Sequence, residues 1–224
     1  MHITFASSKG GVGKSTACAC LAGALVARGH TVHIVDLDNN HTVSRWLSRS
    51  KGFSVSTPDP LALTEHLDML AKKSLDFVLI DVAGAYERAI TVAMARAHLT
   101  IIPAAPTEAD LFEANRIATH LRSVFAAFNR EPLFRLLLTQ VQPLASHAQS
   151  HAIREVDRLA LPRFYTMLTH RAAYQEIGLS GSPPHQSNRT RSTTAKAVAE
   201  IDQWLAEIAL LLPTQQPINR KDAA

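Results

Sequence analysis

Cysteine is nearly absent from this chain. Its 224 residues hold two, Cys18 and Cys20, in one apolar stretch. A helix cannot bridge so close a pair, and no spaced partners exist for a zinc site or an iron–sulfur cluster. They read as core filler. Long apolar runs are missing too: no stretch approaches the roughly 18 residues of a membrane span, and residues 1–10 lack the basic, apolar and small-residue succession of a secretory leader. A soluble, cytoplasmic protein is expected. Gly and Pro number only 9 and 11, which excludes collagenous and low-complexity classes, and 46% hydrophobic content supplies a packed core. Without an internal repeat or a composition break, residues 1–212 are expected to form a single domain and the polar residues 213–224 a disordered tail.

Charge is spread unevenly. The formal net charge is +4, and residues 154–196 alone hold seven basic side chains against three acidic ones. The rest of the chain is balanced, so attraction to a polyanion falls to the C-terminal third. Histidines are scattered. His147 and His151 share a predicted helix face, but no third ligand is near in sequence, and no metal site is assigned to them.

Short apolar runs alternate with longer amphipathic ones, the βα rhythm of a parallel sheet. Strands are expected over residues 2–6, 31–35, 77–80, 99–102, 133–138 and 163–167. Helices are expected over 15–28, 42–50, 85–97, 109–127, 146–159 and 195–211. The strand runs are almost continuously apolar, as in strands buried on both faces, which predicts an α/β fold: a doubly wound, mostly parallel sheet flanked by helices. The Gly-, Ser- and Pro-rich residues 178–194 read as a long surface loop.

Chemistry enters directly after the first predicted strand. Residues 8–15 read Ser8-Lys9-Gly10-Gly11-Val12-Gly13-Lys14-Ser15 and run into a predicted helix, the context a phosphate-binding loop requires. Its glycines let successive N–H groups, from Gly10 through Gly11, Val12, Gly13, Lys14 and Ser15 to Thr16, turn toward phosphate oxygens at a helix N-terminus. Lys14 neutralises β/γ charge and Ser15 offers a hydroxyl to Mg²⁺. The loop departs from the ordinary pattern, because Ser8 stands where the first glycine belongs and Lys9 adds a second cation. A lysine there is poorly placed for its own nucleotide, which Lys14 and the helix dipole already balance; it makes sense if it serves another phosphate.

Ligands in open α/β sheets sit beyond the carboxyl ends of the strands. Asp36 and Asp38 end the second predicted strand, and Asp81 follows the apolar run 77–80. An aspartate ending such a strand can hold the water shell of Mg²⁺, the role assigned to Asp81.

The Lys-Gly-Gly-x-Gly-Lys-Ser loop resembles the deviant Walker A motif of the ParA/MinD family. Residues 101–106 with Ala109-Asp110-Leu111 are similar to the proline-containing loop of its small ParF-like partition ATPases, and Thr166, Leu168, Arg171 and Tyr174 follow their T-x-I-x-x-R-x-x-Y stretch. The likeness spans residues 2–211 and matches the short class, without an N-terminal DNA-binding module. It implies an ATP- and Mg²⁺-dependent ATPase in which Lys9 reaches across a homodimer to the partner's ATP, Asp38 positions the attacking water and Asp36 supports the metal shell. It also implies nonspecific DNA binding, for which Arg154, Arg158, Arg171, Arg189 and Arg191 are the candidates, with Arg154 and Arg158 four apart on one helix. A centromere-binding adaptor of the ParB/ParG type is the expected partner, and nucleoid association the expected location of the ATP state. Alternatively, related small ATPases position protein cargo or assist conjugative or T-DNA transfer. Two departures touch the site's surroundings: Asn39-Asn40 replaces the family's Pro-Gln, and Val82 its Thr. A membrane-surface role is not expected, because residues 201–212 contain Asp202 and Glu207 but no Lys or Arg, the wrong sign for an anionic bilayer.

Overall fold

The computed structural model describes residues 1–82, 87–187 and 192–212. Strands β1 (His2–Phe5), β2 (Val32–Asp36), β3 (Phe53–Ser56), β4 (Phe77–Asp81), β5 (Leu99–Ala104) and β6 (Phe134–Leu138) alternate with helices α1 (Lys14–Ala27), α2 (Thr42–Leu47), α3 (Leu63–Ala71), α4 (Glu87–Ala95), α5 (Glu108–Ala126) and α6 (His147–Arg158). Two single turns, α7 (Ala172–Gln175) and α8 (Ile177–Ser180), and the long α9 (Ser192–Leu211) complete the order. All strand pairs are parallel, in the order β3-β2-β4-β1-β5-β6. The chain leaves β1 toward β2 on one side and β4 toward β5 on the other, which opens a crevice beyond the ends of these central strands.

Both faces are covered, as the continuous apolar runs require. One face packs under α1, α2, α7, α8 and α9, with Trp204 fully buried edge-on to Phe5 and Phe164. The other packs under α3, α4, α5 and α6. Cys18 and Cys20 are free and fully buried in the first of these layers. Capping fixes two helix starts on the second: Thr107 Oγ1 accepts from Asp110 N at 3.2 Å and Ser146 Oγ from Gln149 N at 3.1 Å.

Two expectations are corrected. Residues 163–167 are not a strand. Phe164 N and Leu168 N donate to Leu136 O and Leu138 O of β6, but the chain between them departs from the ladder and leaves only isolated bridges at Arg163 and Thr169. The edge strand β3 and helix α3 were not anticipated. The tail 213–224, the start of the helix expected at 85 and part of the loop expected over 178–194 lie outside the described residues.

Candidate functional site

The loop between β1 and α1 lies at the crevice, and its backbone is held carbonyl by carbonyl. Gly11 and Gly13 adopt φ of 79° and 84°, where a side chain would be strained. Lys9 O accepts from Lys14 Nζ at 3.0 Å, Gly11 O from Gln140 Nε2 at 2.5 Å and Val12 O from Thr139 Oγ1 at 2.8 Å. The first turn of α1 contains no acidic residue, and no side chain caps its N-terminus. Its leading N–H groups therefore form a cradle suited to an anion.

Lys14 is 7% exposed. Burial holds its ammonium below the usual lysine value, against the pull of Asp81 and Asp38. Ser15 Oγ donates to Asp81 Oδ2 at 2.7 Å. Asp81 is fully buried, and its other oxygen, Oδ1, has no hydrogen-bond partner among the described residues. Burial pushes this carboxyl up to about 7; the Ser15 hydroxyl opposes the rise and neighbouring Asp36 adds to it. A hydroxyl beside a carboxylate with one orphaned oxygen is an oxygen donor set that fits a hydrated Mg²⁺.

Asp36 is the register partner of Asp81 across β2 and β4 and is equally buried. Its oxygens are committed within the chain: Oδ1 accepts from Asp38 N at 3.0 Å, and Oδ2 from both Ser44 N and Ser44 Oγ at 2.9 Å. Asp36 thus shapes the turn that presents Asp38. Asp38 Oδ1 accepts from Asn40 N at 2.9 Å, and the residue lines a cavity of about 530 Å³ together with Gly10, Gly11, Gly13, Lys14, Ser15 and Thr16.

Lys9 points elsewhere. Its ammonium pairs with Asp110 in the first turn of α5, where the two side chains are 44% and 8% exposed. Ser8 Oγ donates to Glu113 Oε2 at 2.5 Å, so the start of the loop is fastened to α5 while its end carries the cradle.

The remaining wall of the cavity includes Trp46, Thr139, Gln140, His170 and Gln175, none of which sequence reasoning selected. Thr139 and Gln140 had a usable signal, because they follow an apolar strand at its carboxyl end.

The basic candidates do not form one group. Arg154 and Arg158 are exposed on α6, with Arg158 bound to Glu155 at 2.6 Å. Arg171 lines the cavity instead, on the opposite layer, and is tied to Glu200 at 2.5 Å. Arg189 and Arg191 lie outside the described residues.

Comparison with known proteins fits this geometry. The family described as VirC1 protein matches residues 1–202. The protein ParA of Rhizobium radiobacter is 22% identical over 210 residues, covering 92% of this chain and 95% of that one. The maintenance of carboxysome distribution protein A of Gloeobacter kilaueensis is 30% identical over 179 residues, 78% of this chain and 79% of that one. The structure of the septum site-determining protein MinD from Pyrococcus horikoshii with Mg-ADP superposes with a TM-score of 0.71 at 19% identity, covering 95% of this chain and 99% of that one. No helix among the described residues is long and apolar enough to cross a membrane. With its phosphate loop, its Ser15–Asp81 pair and its parallel sheet, this chain belongs to the VirC1 family of ParA/MinD-type ATPases.

Proposed function

We propose that the protein is an ATP-dependent DNA partition ATPase. In this reading ATP closes a homodimer around two nucleotides, the dimer binds DNA nonspecifically, and a centromere-binding adaptor of the ParB/ParG type stimulates hydrolysis and release. The observation that carries the nucleotide switch in this reading is the division of labour between two lysines of one loop. Lys14 lies buried in the cradle beside Asp81 and Asp38, whereas Lys9 is held outside it by Asp110. A lysine so placed does not serve its own nucleotide, which supports the role in trans.

Phosphoryl transfer needs positioning and charge neutralisation more than covalent help. The backbone from Gly10 to Thr16 receives the phosphates, Lys14 balances their charge, and Asp38 orients the attacking water with the oxygen that Asn40 leaves free. Ser15 and Asp81 hold Mg²⁺, which when bound neutralises charge on the phosphate oxygens. Lys9 in trans makes nucleotide binding and dimerisation one linked equilibrium, and hydrolysis removes the shared ligand. DNA contact falls to Arg154 and Arg158 on α6, with Arg171, Arg189 and Arg191 as the further candidates.

A second reading keeps the switch and changes the cargo. The relative named for carboxysome distribution supports a protein assembly in place of DNA.

Binding to random-sequence duplex DNA in ADP, ATP and a slowly hydrolysed ATP analogue, across a salt series, separates the two. Binding that requires ATP or the analogue and weakens steeply with salt is expected for partition. Absence of DNA binding in every nucleotide state refutes partition and leaves the cargo-positioning ATPase. Sedimentation of Lys9→Ala tests the switch itself: a variant that dimerises normally on ATP removes the trans-lysine claim.

A further inference from the structure

Two residues just beyond β6, in the wall of the same cavity, hold the phosphate loop by its carbonyls. Thr139 is buried, and its hydroxyl donates to Val12 O at 2.8 Å. Gln140 is exposed, and its amide donates to Gly11 O at 2.5 Å. Gln140 also adopts φ of 55°, a left-handed conformation that a long side chain occupies only when its surroundings hold it there. The strain has a visible return. A left-handed backbone at residue 140 turns the side chain back across the end of the sheet and onto the loop.

The consequence follows from peptide geometry. Carbonyl and N–H of one peptide plane point in opposite directions, so fastening the carbonyls of Gly11 and Val12 sets the N–H groups of Val12 and Gly13. A glycine-rich loop is otherwise free to rotate these planes, and a cradle whose amides must be re-aimed at each binding event loses affinity to that reorganisation. We infer that Thr139 and Gln140 are positioning residues for the nucleotide phosphates: they act through the loop, by clamping the Gly11 and Val12 carbonyls so that the amides stand ready for the anion. The inference rests on the nucleotide-binding reading of the loop and is independent of the choice of cargo.

The test uses the purified full chain, with equilibrium binding of Mg-ADP by calorimetry and thermal melting without nucleotide. Gln140→Gly removes the donor and relieves the left-handed strain together. Its melting temperature is expected to hold or rise while ADP binding weakens roughly five- to tenfold, the loss of about one hydrogen bond. Gln140→Glu keeps length but cannot donate, and should weaken ADP at least as much as the glycine variant. Thr139→Val should weaken ADP similarly, whereas Thr139→Ser keeps the hydroxyl and restores binding. Unaltered ADP affinity in Gln140→Gly and Gln140→Glu overturns the clamp, as does a loss in Thr139→Val that serine does not rescue. Absence of ADP binding by the wild-type chain overturns the nucleotide reading of the loop, and the clamp with it.

Discussion

Replacing Asp110 by asparagine tests whether the ion pair on α5 restrains Lys9. Among the described residues Lys9 is the cation paired with Asp110, and the two side chains are 44% and 8% exposed. Before Lys9 can reach a partner's nucleotide this contact must break. The break leaves a nearly buried carboxylate supported by its place in the first turn of α5. A fully buried pair would resist by several kcal/mol, but a half-exposed ammonium is screened by water, which reduces the figure to about 1 kcal/mol. Each dimer opens two such contacts, so Asp110→Asn should tighten dimerisation in a slowly hydrolysed ATP analogue roughly 30-fold. Loss of a carboxylate from the N-terminal turn of α5 removes about 0.5 kcal/mol of helix-dipole stabilisation, a small fall in melting temperature that serves as an internal check. Sedimentation velocity across a concentration series, in ADP and in the analogue, reads the effect directly. Analogue-driven dimerisation that is unchanged or weaker in Asp110→Asn would refute the restraint.

The remaining predictions concern charge at the strand ends and the sheet edge. Asp81→Asn removes a buried carboxyl that its surroundings push up to about 7; above that pH the nucleotide-free variant should melt higher, by about 1–2 kcal/mol of stability, while Mg²⁺-dependent hydrolysis is lost. A calorimetric melt at or below wild type would contradict this. Asp38→Ala should still bind ATP and dimerise but turn over roughly 100-fold more slowly, measured by phosphate release; wild-type turnover would remove Asp38 from the water-positioning role. His33 is buried on β2 beside β3, with Nδ1 2.6 Å from Ser54 Oγ and Nε2 2.8 Å from Ser56 Oγ, and Ser56 also bonds His66. Burial, with His66 and Lys73 nearby, lowers the His33 pKa from 6.5 to about 4, so the unfolded chain takes up the proton first. The stability is complete above pH 6.5 and is lost as pH falls toward 4, by about 3 kcal/mol. Urea denaturation of His33→Val should show a shallower acid slope, and an identical slope would refute the assignment.

The parts of the molecule legible in sequence are those where one residue type answers one local demand. The β1 run followed by the glycine loop, and Asp36 and Asp81 at the ends of apolar runs, announce themselves because the crevice lies beyond the strand ends whatever the loops do. β3 does not, because an edge strand of four residues with only Phe53 and Val55 apolar carries too little period to stand out. Helix α3 buries Leu63, Leu67 and Leu70, a visible helical spacing, but it is only nine residues long and closely follows Pro58 and Pro60. The misassigned strand at 163–167 has the right composition and even the right neighbour, β6; what sequence could not supply is the break in the ladder between Phe164 and Leu168. Asp110, Thr139 and Gln140 act across more than a hundred residues of chain on the phosphate loop. The strand-end place of Thr139 and Gln140 is legible, but the contact itself is set only when the folded sheet and α5 come together.

The two lysines of the loop are also connected to each other. Lys14 Nζ donates to Lys9 O at 3.0 Å, so the cation proposed for phosphate also holds the backbone of the residue whose side chain pairs with Asp110. In the proposed reading, a phosphate that takes up Lys14 removes one of two donors to Lys9 O and leaves the other, Ser7 Oγ at 3.3 Å, together with the ties of Lys9 to Asp110 and Ser8 to Glu113. Occupation of one site is then expected to ease the opening of the other, and by linkage whatever draws Lys9 outward should ease the release of Lys14 to phosphate. ADP and ATP both present phosphates to Lys14, so this first step does not distinguish them. In the proposed dimer, discrimination is expected where the γ-phosphate alone reaches, between Asp38 on one protomer and Lys9 from its partner. In that reading the loop accepts either nucleotide, and dimerisation decides between them.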